Sequence, residues 1–278
     1  MTTEPTMPAD ASPAASHATH TPDAHSPSDL WTRLQAYTPA RIGLGRAGAS
    51  LPTAEVLRFG LAHARARDAV HHPLDPDALA AVLAADGFRC LTARSQAPDR
   101  PTYLRRPDLG RALDADDATR LKHEVPAPEI AVVVADGLSA VAVARHAPSL
   151  LRALRDTSPA DWARTPIVIV EQGRVAVGDP IGEALRARLV IVLIGERPGL
   201  SSPDSLGIYV TFDPRPGRRD SERNCISNVR PEGLAPAQAA HKLSYLVQQA
   251  LRLGYSGVRL KDDSEAALTP SQAPDVLD

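Results

Sequence analysis

Four short runs of aliphatic and other β-forming residues in the second half of the chain constrain its fold more than any other feature. The runs cover residues 130–135, 167–170, 189–194 and 208–212. Helical patterns lie between the first three runs: one begins at Ser139, a common N-cap residue, and continues to Pro148, and another covers 179–187. Unbroken aliphatic strands that alternate with helices are typical of a parallel sheet with helices on both faces. The sequence therefore predicts an α/β domain with a mostly parallel sheet over residues 126–278.

The same region ends with a long amphipathic pattern. Residues 236–253 place Leu243, Leu246 and Val247 on one side, which predicts a helix with one apolar face. Residues 258–260 predict a last, short strand. Because ligands in such folds bind where strands end and helices diverge, we expect a site among the loops that follow the strands. These loops cover residues 136–139, 171–179, 195–206 and 213–231.

The first half of the chain has a different pattern. Pro126 and Pro128 mark the change, and residues 29–125 predict a smaller, mainly helical N-terminal domain. Its predicted elements are helices near 29–37, from Thr53, over 76–85 and over 115–123, a short strand at 88–93 and a loop at 103–108. Residues 1–28 are rich in Pro, Ala, Ser, Thr and His and contain almost no large apolar residue, so they predict a disordered tail.

The composition argues against several classes of protein. Charged residues make up 23% of the chain and the net charge is −2, so the basic excess of a nucleic-acid-binding protein is missing. The aliphatic runs are far shorter than the roughly 20 residues that a membrane-spanning helix needs, so we expect no membrane segment. The two cysteines, Cys90 and Cys225, show neither CxxC pairing nor metal-ligand spacing. We therefore expect no disulfide scaffold, no structural zinc site and a reducing compartment.

Residues 43–48 match the GxGxxG pattern, whose glycines let a backbone turn approach a pyrophosphate. A dinucleotide site would need a strand directly before Gly43 and a helix directly after Gly48. Instead, Pro39 lies shortly before the motif and the next predicted helix starts only after Pro52. We favour a tight loop that contacts another subunit, and a nicotinamide-dependent oxidoreductase is the alternative.

Polar residues near the predicted strands have more than one interpretation. Glu196 either accepts hydrogen bonds from an amide-bearing ligand or forms a local surface pair with Arg197. Cys225 lies in the polar segment 222–231, and we favour a small buried residue that lends its backbone over a catalytic nucleophile. Asp136, at the end of a strand, is either a helix-start carboxylate or a ligand contact.

Six segments of the chain carry information together that none carries alone. They are ARIGLGRAG at 40–48, YLRRPDLGR at 103–111, VADGLS at 134–139, GRV with DPIGE between 173 and 183, GERPGL at 195–200 and CISN at 225–228. Together they resemble the light chain of ethanolamine ammonia-lyase and occur in that family's order. Each segment alone is a weak signal. All six in order over about residues 30–260 are a specific one.

The resemblance implies a Rossmann-like domain in this small subunit and a large, barrel-forming partner subunit that holds most of the active site. Adenosylcobalamin would lie between the two subunits, and the complex would convert ethanolamine to acetaldehyde and ammonia by a radical reaction. The family's cobalamin contacts fall here on Val175, Glu196 and Cys225. The resemblance implies no catalytic and no metal-ligating residue on this chain.

The DxHxxG motif of mutase-type cobalamin domains is missing from the sequence. Ammonia-lyases of the resembled family keep the cofactor's own benzimidazole on cobalt, so the resemblance requires no such motif. A corrinoid carrier that works without a large subunit remains an alternative. The expected location is the cytoplasm, and a bacterial microcompartment is a second option that the tail supports little.

Overall fold

The computed structural model describes residues 27–124, 126–158 and 160–265. The predicted disordered tail therefore lies outside the described residues, apart from Pro27 and Ser28, which begin the first helix. Contacts divide the chain into two compact units, Met1–Val56 and Leu57–Asp278. Among the helices of the described ranges, none is both long enough and apolar enough to cross a bilayer.

The first unit contains helix α1 (Pro27–Gln35), a glycine-rich turn and the beginning of α2 (Thr53–His71). All three glycines of the 43–48 motif have positive φ angles. A Cβ atom on Gly43 would lie 2.6 Å from the Trp31 side chain, so only glycine fits there. Within the described residues no strand precedes the motif. The structure thus confirms that the glycines lack the setting of a dinucleotide site.

The second unit is built around a sheet of six strands. The strands are β1 (Cys90–Arg94), β2 (Ile130–Ala135), β3 (Ile167–Glu171), β4 (Leu189–Gly195), β5 (Leu206–Phe212) and β6 (Arg223–Val229). Their order across the sheet is β1-β3-β2-β4-β5-β6. The first four strands in this order are parallel, whereas β5 and β6 are each antiparallel to the preceding strand. The predicted α/β class is confirmed, with a mixed sheet.

The strands at the sheet's margins differ most from the sequence prediction. β1 precedes residue 126 and pairs with β3, so a strand from the N-terminal half joins the sheet. β6 occupies a segment that we predicted to be a polar loop. Its buried residues, Arg223, Ile226 and Val229, recur at every third position, so the segment lacks the alternation that predicts a strand. The predicted strand at 258–260 is wrong, since Gly257–Arg259 form a 3₁₀ turn.

Helices cover both faces of the sheet. They are α3 (Pro76–Ala85), α4 (Arg100–Arg105), α5 (Ala115–Lys122), α6 (Ala140–Thr157), α7 (Gly178–Leu185) and α8 (Pro236–Leu253). The first face, which includes Val132 and Ile191, packs against α3, α6 and α8. The second face, which includes Val133 and Val192, packs against α5 and α7. Burial on both faces explains why the central strands are aliphatic throughout.

Helix α6 continues past Pro148 to Thr157, beyond its predicted end. Ser139 caps it as expected, because its hydroxyl accepts from the backbone N–H of Ala142 at 3.3 Å. A proline inside a helix removes one backbone hydrogen bond and costs about 3 kcal/mol. The apolar face after Pro148 offsets this loss, because Leu150 and Leu151 are fully buried.

Helix α4 replaces part of the loop that we predicted over 103–108. Asp99 is its N-cap, and its carboxylate accepts from the backbone N–H of Thr102 at 2.7 Å. Pro101 occupies the first turn, where the missing N–H is not needed. The prediction was wrong because a six-residue helix is too short to show a hydrophobic period.

Candidate functional site

The carboxyl ends of β2, β3 and β4 meet at one edge of the sheet, which we call the carboxyl edge. After β2 the chain continues into α6 on the first face, and after β3 it continues into α7 on the second face. Since β2 and β3 are neighbours, the two helices diverge between them. Open α/β sheets bind ligands at such a point. Asp136, Gly173 and Glu196 lie within two residues of the strand ends.

Asp136 is buried at the carboxyl edge, where its carboxylate binds neighbouring segments. Its carboxylate accepts from the backbone N–H of Gly173 at 2.9 Å and from the Arg100 guanidinium at 3.1 Å. Burial raises the pKa of Asp136 to about 6, although Arg100 and the backbone N–H groups act in the opposite direction. Of the two interpretations from sequence, the helix-start role belongs to Ser139 instead. With 1% of Asp136 exposed, its partners are Arg100 at the start of α4 and the backbone of the loop after β3.

One predicted loop does not reach this edge. Residues 213–222 follow β5, and β5 runs antiparallel to β4, so Phe212 lies beside Leu189 at the amino end of β4. Our expectation that the whole segment 213–231 borders the site is therefore wrong. Only the end of β6 returns to the carboxyl edge, where Val229 lies opposite Leu206.

Glu196 follows β4 and lies at the carboxyl edge, half-buried. Its carboxylate accepts from the Ser205 hydroxyl at 2.5 Å and from the backbone N–H of Asn228 at 3.3 and 3.4 Å. The carboxylate thus joins the loop after β4 to the end of β6. An ionised carboxylate offers about four acceptor positions, so Glu196 retains capacity for further donors.

Cys225 lies on the same side of the sheet as this carboxylate. On β6 it stands opposite Tyr209 of β5, which stands opposite Val192 of the second face. Residues opposite each other in a sheet share a face. Cys225 is exposed, so our interpretation of it as a small buried residue is wrong, and its thiol lies 3.2 Å from the Ser227 hydroxyl.

Tyr209 lies opposite Cys225 in the sheet and within the electrostatic influence of Glu196. Burial, together with the thiol of Cys225 and the carboxylate of Glu196, raises the pKa of the Tyr209 phenol above its usual value. The phenol therefore stays protonated and available as a hydrogen-bond donor at neutral pH. Sequence reasoning missed Tyr209, although the alternation along β5 places it on the same face as Cys225.

Val175 lies on the second face as well. It begins a 3₁₀ turn, Val175–Val177, that leads directly into α7, and it packs half-buried against the second-face core. Two contacts fix the preceding residue, Arg174. Its backbone N–H donates to the Gly110 carbonyl at 2.7 Å, and its guanidinium stacks over the Tyr103 ring at 4.3 Å from the ring centroid. The segment around Tyr103 and Gly110 thus supports the turn.

The three predicted contact residues therefore all face the second side of the sheet. The structure adds Tyr209, Asn228 and the buried pair Asp179–Arg223, which sequence reasoning missed. In the described ranges, histidine, cysteine and carboxylate side chains form no cluster of three that could hold a metal ion. The surface offers a carboxylate acceptor beside a thiol and a phenol, and this set suits a ligand that carries neutral amide groups.

Comparison with known proteins identifies the family of the chain. The family model described as ethanolamine ammonia-lyase light chain (EutC) matches residues 28–261. A protein of Azotobacter vinelandii named ethanolamine ammonia-lyase small subunit is 60% identical over 242 residues, which is 85% of this chain and 90% of that protein. A protein of the same name from Ralstonia nicotianae is 58% identical over 86% of this chain and 90% of that protein. Another, from Pseudomonas aeruginosa PAO1, is 52% identical over 92% of this chain and 95% of that protein. The chain therefore belongs to the ethanolamine ammonia-lyase light-chain family.

Proposed function

We propose that this chain is the small subunit of an adenosylcobalamin-dependent ethanolamine ammonia-lyase and that it binds cobalamin against a large partner subunit. Family membership supports the enzyme, since the relatives are named small subunits of it. The single structural observation behind the cobalamin-binding role is that Val175, Glu196 and Cys225 share one face of the sheet.

The residues of this surface fit the periphery of a corrin, which carries many neutral amides. The Glu196 carboxylate accepts from amide N–H groups, and a hydrogen bond to a charged group contributes about 1.5–3 kcal/mol. The Tyr209 phenol donates to amide carbonyls, and Val175 supplies apolar contact. When bound, adenosylcobalamin supplies a cobalt–carbon bond whose homolysis begins the radical conversion of ethanolamine to acetaldehyde and ammonia. The chain's own part is to bind and orient the corrin.

The large subunit completes the site in this proposal. We assign residues 126–278 to a Rossmann-like cobalamin-binding domain, whose sheet is extended by β1 of the N-terminal half, and we assign contact with the partner to residues 29–125. Exposed apolar residues on α2 support the second assignment, because Leu57 is 68% and Leu61 53% exposed. The cytoplasm, or a bacterial microcompartment, remains the predicted location.

The test combines this chain with the large ammonia-lyase subunit, adenosylcobalamin and ethanolamine and follows acetaldehyde. We expect acetaldehyde only when both chains and the cofactor are present. A visible absorbance titration with hydroxocobalamin measures cofactor binding separately. Bound cobalamin without turnover would contradict the ammonia-lyase and leave a corrinoid carrier. The absence of cobalamin binding by the assembled complex would overturn the cofactor role.

A further inference from the structure

A buried ion pair lies on the second face beneath the proposed corrin contacts. Asp179 of α7 and Arg223 of β6 have side chains that are 3% and 2% exposed. Both Nη atoms of Arg223 donate to the carboxylate, Nη1 to Oδ1 and Nη2 to Oδ2, each at 2.6 Å. This bidentate arrangement fixes the orientation of the two groups as well as their distance.

Further acceptors hold the arginine in place. Nη1 also donates to the Thr211 hydroxyl at 2.9 Å, and Nη2 also donates to the Arg218 carbonyl at 3.1 Å. Thr211 is the register partner of Arg223 on the neighbouring strand β5. The guanidinium thus holds together α7, β5 and the loop that precedes β6.

The pair connects the segments that carry two of the proposed contacts. Asp179 lies in the first turn of α7, directly after the 3₁₀ turn that begins with Val175. Arg223 lies two positions before Cys225 on the same strand and therefore on the same face. Gly178, next to Asp179, lies so close to β4 that a Cβ atom on it would be 2.5 Å from Val192, so this end of α7 has little freedom.

A buried ion pair is a weak source of stability, because desolvation offsets most of the attraction and apolar replacements are often as stable. Its value here is geometric. We propose that the Asp179–Arg223 pair is a positioning element that fixes the Val175 turn relative to the Cys225 strand and thereby sets the affinity for cobalamin. This inference rests on the proposed function.

The test uses the complex with the large subunit and measures hydroxocobalamin affinity by absorbance titration, together with the Tm of each complex. Asp179→Asn and Arg223→Lys should each weaken cobalamin binding by roughly 10- to 100-fold, the size of effect seen when supporting residues are removed from metal sites. In turnover assays the KM for adenosylcobalamin should rise, while the KM for ethanolamine stays unchanged.

Two further variants separate positioning from stability. Val247→Ala in α8 shortens a side chain that is 2% exposed in the first-face core, and it should lower the Tm without changing cobalamin affinity. The double variant Asp179→Leu, Arg223→Met replaces the pair by apolar groups and should keep a Tm near that of wild type while binding cobalamin weakly. Affinity that follows the Tm across all variants would overturn the positioning role, as would wild-type affinity in the double variant.

A reference variant separates this inference from the proposed function. If Glu196→Gln weakens cobalamin binding and the pair variants do not, only the positioning role is wrong. If the wild-type complex binds no cobalamin, the proposed function itself is wrong.

Discussion

Gly207 lies directly beneath the carboxylate of Glu196. A Cβ atom at position 207 would be 3.1 Å from Oε1 and 3.2 Å from Cγ of Glu196. Because Gly207 has no side chain, the Glu196 carboxylate has room to lie where it accepts from Ser205 and Asn228.

Gly207→Ala should displace the Glu196 carboxylate by a few tenths of an ångström and weaken cobalamin binding by the complex several-fold, with a small loss of Tm. Titration with hydroxocobalamin measures the first effect. Gly254→Ala is the control, because Gly254 ends α8 with a φ angle of 76° and has open space around its Cβ position. That substitution should lower stability by roughly 1 kcal/mol, through its left-handed backbone alone, and leave binding unchanged. Unaltered binding in Gly207→Ala would show that the carboxylate position is unimportant.

Glu196→Gln should weaken cobalamin binding by roughly 10-fold or more, because a neutral amide replaces a charged acceptor. It is a sharper test than Glu196→Ala, which also removes the contacts to Ser205 and Asn228 that join the loop to β6. Ser205→Ala is the control: it removes the hydroxyl that donates to Glu196 but keeps the charge. If both variants bind equally weakly, loop order rather than the carboxylate determines affinity.

The two cysteines should differ in reactivity. Burial raises the pKa of the Cys90 thiol, whereas Cys225 is exposed. Iodoacetamide at pH 8 should therefore alkylate Cys225 faster than Cys90, which peptide mass spectrometry would measure. In the complex, added cobalamin should slow alkylation of Cys225 and leave the rate at Cys90 unchanged. Equal protection of both thiols, or none at Cys225, would argue against contact between Cys225 and the corrin.

Asp136 should make stability fall as pH rises. Its folded-state pKa of about 6 lies above the unfolded value near 4, so the folded chain binds more protons between these values. As pH rises from about 4 to 6, ionisation of the buried carboxylate therefore lowers the free energy of unfolding by a few kcal/mol at most. Above pH 6 this contribution does not change further. Denaturant unfolding of wild type and Asp136→Asn across this range measures the difference. If the free energy of unfolding of wild type instead rises with pH relative to that of Asp136→Asn, the pKa of Asp136 is not raised.

Side chains of α5 close the open edge of β1, the outermost strand at its end of the sheet. The Asp117 carboxylate accepts from the backbone N–H of Arg94 at 2.8 Å, and Arg120 donates to the Thr92 carbonyl. The double variant Asp117→Ala, Arg120→Ala should expose this edge and increase concentration-dependent aggregation, with only a modest loss of Tm. Light scattering measures aggregation.

Arg106 and Asp108 provide a control for that experiment, because they form an ion pair in which each side chain is 59% exposed. Replacing both by alanine should leave aggregation unchanged, since exposed ion pairs contribute little to stability and this pair caps no strand. Equal aggregation of the two double variants would mean that lost charge, rather than an open strand edge, is responsible.

The local sequence pattern was sufficient to predict a helix or strand wherever the segment is continuously buried or its buried residues recur at a regular period. The strand at Ile130–Ala135 and the helices Pro76–Ala85 and Pro236–Leu253 have the predicted bounds, because continuous burial and a 3.6-residue period leave clear signals. β6 was missed because its buried residues, Arg223, Ile226 and Val229, recur at every third position, which is not the alternation of a strand. The continuation of α6 past Pro148 was missed because tertiary burial outweighs the local cost of a proline.

The sequence by itself determined the α/β class, the family and the residues expected to contact cobalamin, since these depend on residue types and their order. Only the tertiary structure decided which side chains meet. The antiparallel pairing of β5 with β4 places residues 213–222 away from the carboxyl edge, and the pairing of β6 with β5 places Tyr209 beside Cys225. The pairing of Asp179 with Arg223, 44 residues apart, depends on how a helix and a distant strand pack, which no local pattern records.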